Sequence, residues 1–150
     1  MRVLIQRVSH AAVTIDHKIV DQIDTGLLVF LGVESKDTIE DIDWLSGKIA
    51  RLRVFRDQAG AMNCSMQDID GEILVVSQFT LFASTKKGNR PSFIHAAAPE
   101  FAAQMYLLFC QALETILEKS VHRGIFGARM FVELVNDGPV TIWIDSKNRE

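Results

Sequence analysis

From Leu27 to Val33 the chain reads LLVFLGV, and this segment limits the fold more than any other. It is far shorter than the roughly 20 apolar residues that span a bilayer, so it is not a transmembrane helix. It suits a β-strand covered on both faces, and such a strand needs packed material on either side of its sheet. The flanking segments supply candidates. Arg2 to Val8 alternates, with Val3 and Ile5 on one face and Leu4 and Gln6 on the other, as a strand does. Ala12 to Asp16 and Lys18 to Ile23 read as two strands around a short turn. In Asp24-Thr25-Gly26, Gly26 can take a positive φ at no steric cost.

Asp37 is expected to cap a first helix, with Glu40 three residues later in the capping-box position. Ile39, Ile42, Leu45, Ile49 and Leu52 form its apolar stripe, and Arg51 to Phe55 leads into a strand. Asp57 to Gly60 reads as a loop. Asp70-Gly71 reads as a hairpin turn before a strand over Glu72 to Leu81. Thr85 to Pro91 is an exposed loop. Pro99 opens a second helix, striped by Phe101, Met105, Leu108, Ala112 and Ile116. Two closing strands, Met130 to Val135 and Val140 to Ile144, flank Asn136-Asp137-Gly138-Pro139, and the tail Asp145 to Glu150 is expected to fray. Strands outnumber helices. The expectation is one mixed α/β domain over residues 1–150, with mixed β-sheets in a barrel-like core covered by two main amphipathic helices.

Composition bounds the function. The chain is 48% apolar and 23% charged, which excludes disorder. Cys64 and Cys110 stand far apart in no C-x-x-C spacing, and Arg7 breaks the apolar N-terminal stretch, so free thiols and a cytoplasmic protein without a signal peptide are expected. The net charge is −3, from 16 Lys and Arg against 19 Asp and Glu, so nucleic acid can be held only by a local patch. P-loop, dinucleotide and H-E-x-x-H patterns are missing, and no metal or other cofactor is expected.

Three segments could carry chemistry. Ser77-Gln78-Phe79-Thr80-Leu81 ends an apolar strand, so it brings polar groups to a sheet rim, where its backbone N–H groups could face a developing oxyanion. Ser and Thr at a strand end also serve as ordinary caps. Ser77 or Thr80 as a nucleophile would need a base, and none of His10, His17, His95 and His122 stands in a triad-like relation to them. Asn136-Asp137-Gly138-Pro139-Val140-Thr141 is turn-forming, and a cis Gly-Pro step would aim two carbonyls the same way, as an acceptor pair for an ammonium. Lys86, Lys87 and Arg90, with His122 and Arg123 further on, are either solvated charges or a phosphate-binding patch. Arg51, Arg53 and Arg56 add charge near a helix end.

Together the first two segments resemble the D-aminoacyl-tRNA deacylases. Gln6-Arg7-Val8, Gly26-Leu27-Leu28-Val29 and Arg90-Pro91-Ser92-Phe93 agree as well, and the match runs from about Met1 to Trp143; it is less close over Gly127-Ala128-Arg129-Met130. The resemblance implies a homodimer that cleaves the ester between a D-amino acid and the 3′ end of tRNA, and that also acts on glycyl-tRNA mischarged on alanine tRNA. It implies that Ser77, Gln78, Phe79 and Thr80 form the catalytic rim, with backbone N–H groups at Phe79 and Thr80 holding the oxyanion and the 2′-hydroxyl of the terminal adenosine activating water. It implies that a cis Gly138-Pro139 step enters the partner's site, binds the substrate ammonium through its carbonyls and clashes with an L side chain. Ala102 would line that pocket, Arg7 would brace the inserted loop, and Lys86, Lys87 and Arg90 would contact tRNA. The alternatives are a hydrolase of free D-amino acid esters or peptides with Thr80 as nucleophile, and a non-catalytic tRNA-binding module.

Overall fold

A computed structural model describes residues 1–149. The chain runs through strands β1 (Arg2–Ile15), β2 (Lys18–Ile23) and β3 (Gly26–Gly32), helix α1 (Ile39–Ala50), strands β4 (Phe55–Arg56) and β5 (Met62–Cys64), and the one-turn helix α2 (Met66–Ile69). Strand β6 (Glu72–Ser77), a 3-10 turn (Phe79–Phe82), helix α3 (Pro99–Leu117), and strands β7 (His122–Arg123) and β8 (Phe131–Asp145) follow. One edge of β1 pairs antiparallel with β8 from Arg2 to Thr14. Its other edge is shared, by β3 alongside Arg2 to Val8 and by β2 alongside Ala11 to Ile15. β6 lies parallel to β3, and β7 parallel to β6. The mixed sheet curls until β2 meets β7, where Asp21 accepts the Arg123 backbone N–H at 2.9 Å and lies 2.6 Å from His122 Nδ1. The expected barrel-like mixed sheet is therefore what forms.

β3 is buried on both faces, as its composition requires. Leu27, Val29 and Leu31 pack with Ile42, Leu45 and Ile49 of α1 and with Met105, Phe109 and Leu113 of α3. Leu28 points the other way, into a second core of Val8, Ala11, Val13, Ile23, Leu74 and Val76 inside the curled sheet. Truncating a side chain as fully buried as Leu28 to alanine costs about 2–5 kcal/mol.

Several local expectations are corrected. β1 is one strand rather than two, because register shifts near Val8 let it bend and exchange β3 for β2 without ending. Gly26 does not take a positive φ; it is needed because a Cβ there would lie 1.8 Å from the Glu72 carbonyl oxygen. The cap of α1 is Thr38 with Asp41, the Thr38 N–H donating to the Asp41 carboxylate at 2.8 Å. Asp37 instead accepts from the Glu34 N–H and pairs with the Met1 ammonium. Leu52 lies beyond α1, and Ile39 is exposed. Strand structure after α1 begins only at Phe55 and closes a small hairpin around residues 57–60. Asp70 is the left-handed C-cap of α2 rather than a hairpin residue, since β6 runs parallel to β3. β6 ends at Ser77, and Phe79 to Phe82 form a 3-10 turn instead of more strand.

The buried face of α3 is Met105, Tyr106, Phe109, Cys110 and Leu113, one step round from the expected stripe. Phe101, Leu108, Ala112 and Ile116 flank it, half-buried. The two closing strands are the single strand β8, which carries residues 136–139 through a bulge against β1. The tail is pinned rather than frayed. Ser146 is buried, with its N–H on the Met1 carbonyl, Lys147 pairs with Asp41, and Arg149 stacks on Trp44. Glu150 lies outside the described residues.

Candidate active site

A cavity of about 500 Å³ opens where β6 runs out. Leu31, Val76, Ser77, Gln78 and Phe79 form one side, and Pro99, Ala102 and Tyr106 at the start of α3 form another. Phe126, Gly127, Ala128 and Met130 close the third. None of its lining residues is charged. It lies beyond the C-terminal ends of the parallel pair β3–β6, the end at which α/β sheets bind ligands.

The rim is built by the termination of β6. The Gln78 N–H donates to the Leu31 carbonyl at 2.7 Å, extending the parallel ladder one residue past Ser77. The chain then tightens into the 3-10 turn. The Phe79 and Thr80 N–H groups open that turn and have no acceptor within it. Gln78 Nε2 donates to the Thr80 hydroxyl, and Thr80 is exposed. No histidine or carboxylate among the described residues hydrogen-bonds Thr80, so a Thr80 nucleophile would have no base.

Tyr106 spans the floor. Its hydroxyl donates to the Val75 carbonyl at 2.8 Å and lies 3.3 Å from the Gly124 carbonyl, joining β6 to the segment that leads into the third wall. Burial, with the neighbouring Cys110, pushes its phenol well above the usual range, so it stays a neutral donor. Burial likewise pushes the Cys110 thiol up to about 12 and keeps it inert.

The second motif is elsewhere. The Gly138-Pro139 peptide is cis, and Asp137, Gly138 and Pro139 form an exposed run on β8. Neither Gly138 nor Pro139 lines the cavity, and neither does Arg7. Arg7 is nevertheless a buried brace. Its Nε donates to the Asp137 carbonyl at 2.8 Å and lies 3.2 Å from the Asp137 carboxylate, while Nη1 donates to the Val54 carbonyl. Asn136 Oδ1 accepts the Val140 N–H at 2.8 Å and fixes the other side of the bulge.

The structure therefore brings Ser77, Gln78, Phe79 and Ala102 together and leaves Gly138, Pro139 and Arg7 apart from them within one chain. Lys86, Lys87 and Arg90 stand exposed in a loop whose ends pair through Ser84 and Ser92. His122 and Arg123 do not join that patch, because both are tied to Asp21 at the sheet closure. Arg53 and Arg56 donate to the Asn63 and Gly60 carbonyls around the β4–β5 hairpin. Sequence reasoning missed Tyr106 and the Phe126–Met130 wall. The signal available for the wall was an aromatic residue set between Gly124 and Gly127.

A family model described as D-Tyr-tRNA(Tyr) deacylase matches residues 4–145. A D-aminoacyl-tRNA deacylase of Flavobacterium johnsoniae is 61% identical over 150 residues, covering 100% of both chains. One of Parabacteroides distasonis is 57% identical over the same span. Among solved structures, a c-Myc DNA unwinding element binding protein superposes with a TM-score of 0.91 at 39% identity, over 97% of this chain and 98% of that one. A structure described as a probable eukaryotic D-amino acid tRNA deacylase shares the fold with a TM-score of 0.84 at 18% identity, over 95% and 97% of the two chains.

Proposed function

The chain belongs to the D-Tyr-tRNA(Tyr) deacylase family and is a hydrolase that deacylates D-aminoacyl-tRNA, and from that premise we propose that it does so with main-chain groups and excludes L substrates with a wall of backbone. The observation that carries the reading is a cavity without charged side chains whose rim is Ser77, Gln78 and Phe79. Water adds to the ester carbonyl, and the Phe79 and Thr80 N–H groups hold the oxyanion. The bond from the carbonyl carbon to the ribose 3′ oxygen then breaks, and a proton passes to that oxygen. Free D-amino acid and tRNA leave. The 2′-hydroxyl of the terminal adenosine activates the water, which fits a site without a side-chain base. Gln78 orients the ester or the adenosine, the Thr80 hydroxyl steadies Gln78, and Ala102 gives the pocket a small wall.

The L filter comes from a second protomer. In a homodimer the Gly138 and Pro139 carbonyls accept the substrate ammonium in the partner's cavity. With ammonium and ester both fixed, a D side chain points to open space and an L side chain drives into main chain. Three features support this. The Asp137-Gly138-Pro139 run is exposed and outside its own cavity, Arg7 stiffens it from behind, and β8 is a long edge strand with Phe131, Val135 and Trp143 turned outward and exposed. Long apolar edges are normally covered. Glycine has no side chain to exclude, so glycyl-tRNA mischarged on alanine tRNA is a further substrate. Lys86, Lys87 and Arg90 hold tRNA phosphates, and the enzyme works in the cytoplasm.

The experiment is a deacylation assay on matched D- and L-aminoacyl-tRNA with glycyl-tRNA beside them. Turnover of the D and glycyl substrates with the L form spared is expected. Equal rates on D and L would overturn the filter.

A further inference from the structure

The rings of Phe79 and Phe93 meet edge to face, with centroids 5.0 Å apart and planes at 74°. Phe79 lines the cavity yet is 57% exposed, and Ile94, beside Phe93, is 81% exposed. Apolar groups this large clustered in water at the mouth of a cavity mark a contact surface. The loop before Phe93, Thr85-Lys86-Lys87-Gly88-Asn89-Arg90-Pro91, holds three cations and no acid in a chain of net charge −3. Paired backbone hydrogen bonds of 2.8 and 2.9 Å between Ser84 and Ser92 pin its two ends, so its base lies next to Phe93. Lys86, Lys87 and Arg90 have no carboxylate partner among the described residues.

We propose that Phe79, Phe93 and Ile94 form a stacking platform for the nucleotides that precede the terminal adenosine, with Lys86, Lys87 and Arg90 taking their phosphates. This rests on the deacylase reading, which places the 3′ end of tRNA in the cavity. A single strand leaving the cavity meets the exposed Phe79 ring first and the half-buried Phe93 ring next to it. Unstacked bases bind aromatic faces regardless of sequence, while cations beside the rings track the backbone. The edge-to-face contact holds both rings before binding, which lowers the cost of ordering them. The partner's Gly138-Pro139 run reaches the cavity itself; over Phe93, Ile94 and the basic loop a second protein copy fits less well, because docking it there would desolvate three unpaired cations.

The test is equilibrium binding of the full chain to adenosine, to the dinucleotide CA and to the trinucleotide CCA. Extension from adenosine to CCA raises affinity about five- to a hundredfold. Phe93→Ala removes that gain and Phe93→Trp keeps it. Ile94→Ser, at a position with little packing to lose, reduces it. A trinucleotide that binds no better than adenosine overturns the platform. So does a Phe93→Ala variant that weakens adenosine and CCA in equal proportion, since the ring would then act only through the cavity. If Ile94→Ser changes the sedimentation behaviour and spares the gain, the surface is a protein interface and the proposal fails. Deacylation of D-aminoacyl-tRNA, assayed in parallel, separates the two readings. Intact turnover without the gain sinks the platform alone; an intact gain without turnover sinks the deacylase reading alone.

Discussion

Gly138→Ala tests the backbone wall directly. Gly138 has a φ of +139°, a region that residues with a Cβ avoid at a cost of about 1–3 kcal/mol. The new Cβ would lie 2.8 Å from Val140 Cγ2 and 2.9 Å from Arg7 Nη2. Val140 can rotate. Arg7 cannot yield cheaply, because it is 2% exposed and held by the Asp137 and Val54 carbonyls. The cheaper relaxation is outward movement of residues 137–139, which face solvent within the chain. A loss of about 1–3 kcal/mol follows, or about 2–12 °C in Tm for a domain of this size. If the moved loop surrenders a similar amount of its clash with an L side chain, hydrolysis of L- relative to D-aminoacyl-tRNA rises about five- to a hundredfold. The assay is the ratio of kcat/KM for the two substrates, with a melting curve on the same preparation. Arg7→Lys loosens the loop from behind without crowding Gly138 and should shift the ratio the same way. A lowered Tm with an unaltered ratio in both variants would refute the wall.

Tyr106→Phe removes the hydroxyl that joins the Val75 and Gly124 carbonyls, Val75 keeping only the Gly124 N–H at 3.0 Å, and should cost about 0.5–1.5 kcal/mol by denaturant titration, with kcat falling more than KM because the catalytic rim follows Val75. Thr80→Ala should keep near-normal deacylation, and abolished turnover would revive the nucleophile reading. Replacing Lys86, Lys87 and Arg90 with glutamine should lower the slope of log affinity for tRNA against log salt by about 2. Burial opposes ionisation of Asp41, but hydrogen bonds from Lys147, Ser146 and Thr38 outweigh it and hold its carboxyl well below the usual range. The hydrogen bond to Asp41 raises Lys147 in turn. Their pairing should stabilise the fold fully between about pH 5 and 10, fading as pH falls through the depressed Asp41 value and as it rises through the raised Lys147 value. Melting curves of Lys147→Met against the parent chain across pH check this.

β3 was legible because burial on both faces shows in composition alone, whatever its partners. β8 was not, because Asn136-Asp137-Gly138-Pro139 has turn composition and only the bulged pairing with β1 carries the strand through it. The stripe of α3 was misplaced for a related reason. The first turns of that helix face a cavity, where Ala102 leaves space that a core position would fill. Ser77 to Phe79 could be singled out because polar residues at the end of an apolar strand are conspicuous. Tyr106 could not, since a tyrosine on an apolar helix face looks like ordinary core until its hydroxyl is seen on two carbonyls. Arg7 shows in the sequence only as a charge that breaks an apolar stretch; its burial against the Asp137 and Val54 carbonyls shows only in the fold.

A cavity walled without charge has a practical consequence for anyone dissecting it by mutagenesis. Every replacement except proline keeps an amide proton and an acyl oxygen in place, so systematic side-chain truncation passes over the atoms that matter most. Damage would surface as altered geometry, registered in chiral preference and thermal tolerance, before it surfaced as a vanished functional group. Atom-by-atom exchange of the peptide unit itself, such as ester-for-amide replacement at Phe79 or Thr80, is the tool suited to such a site.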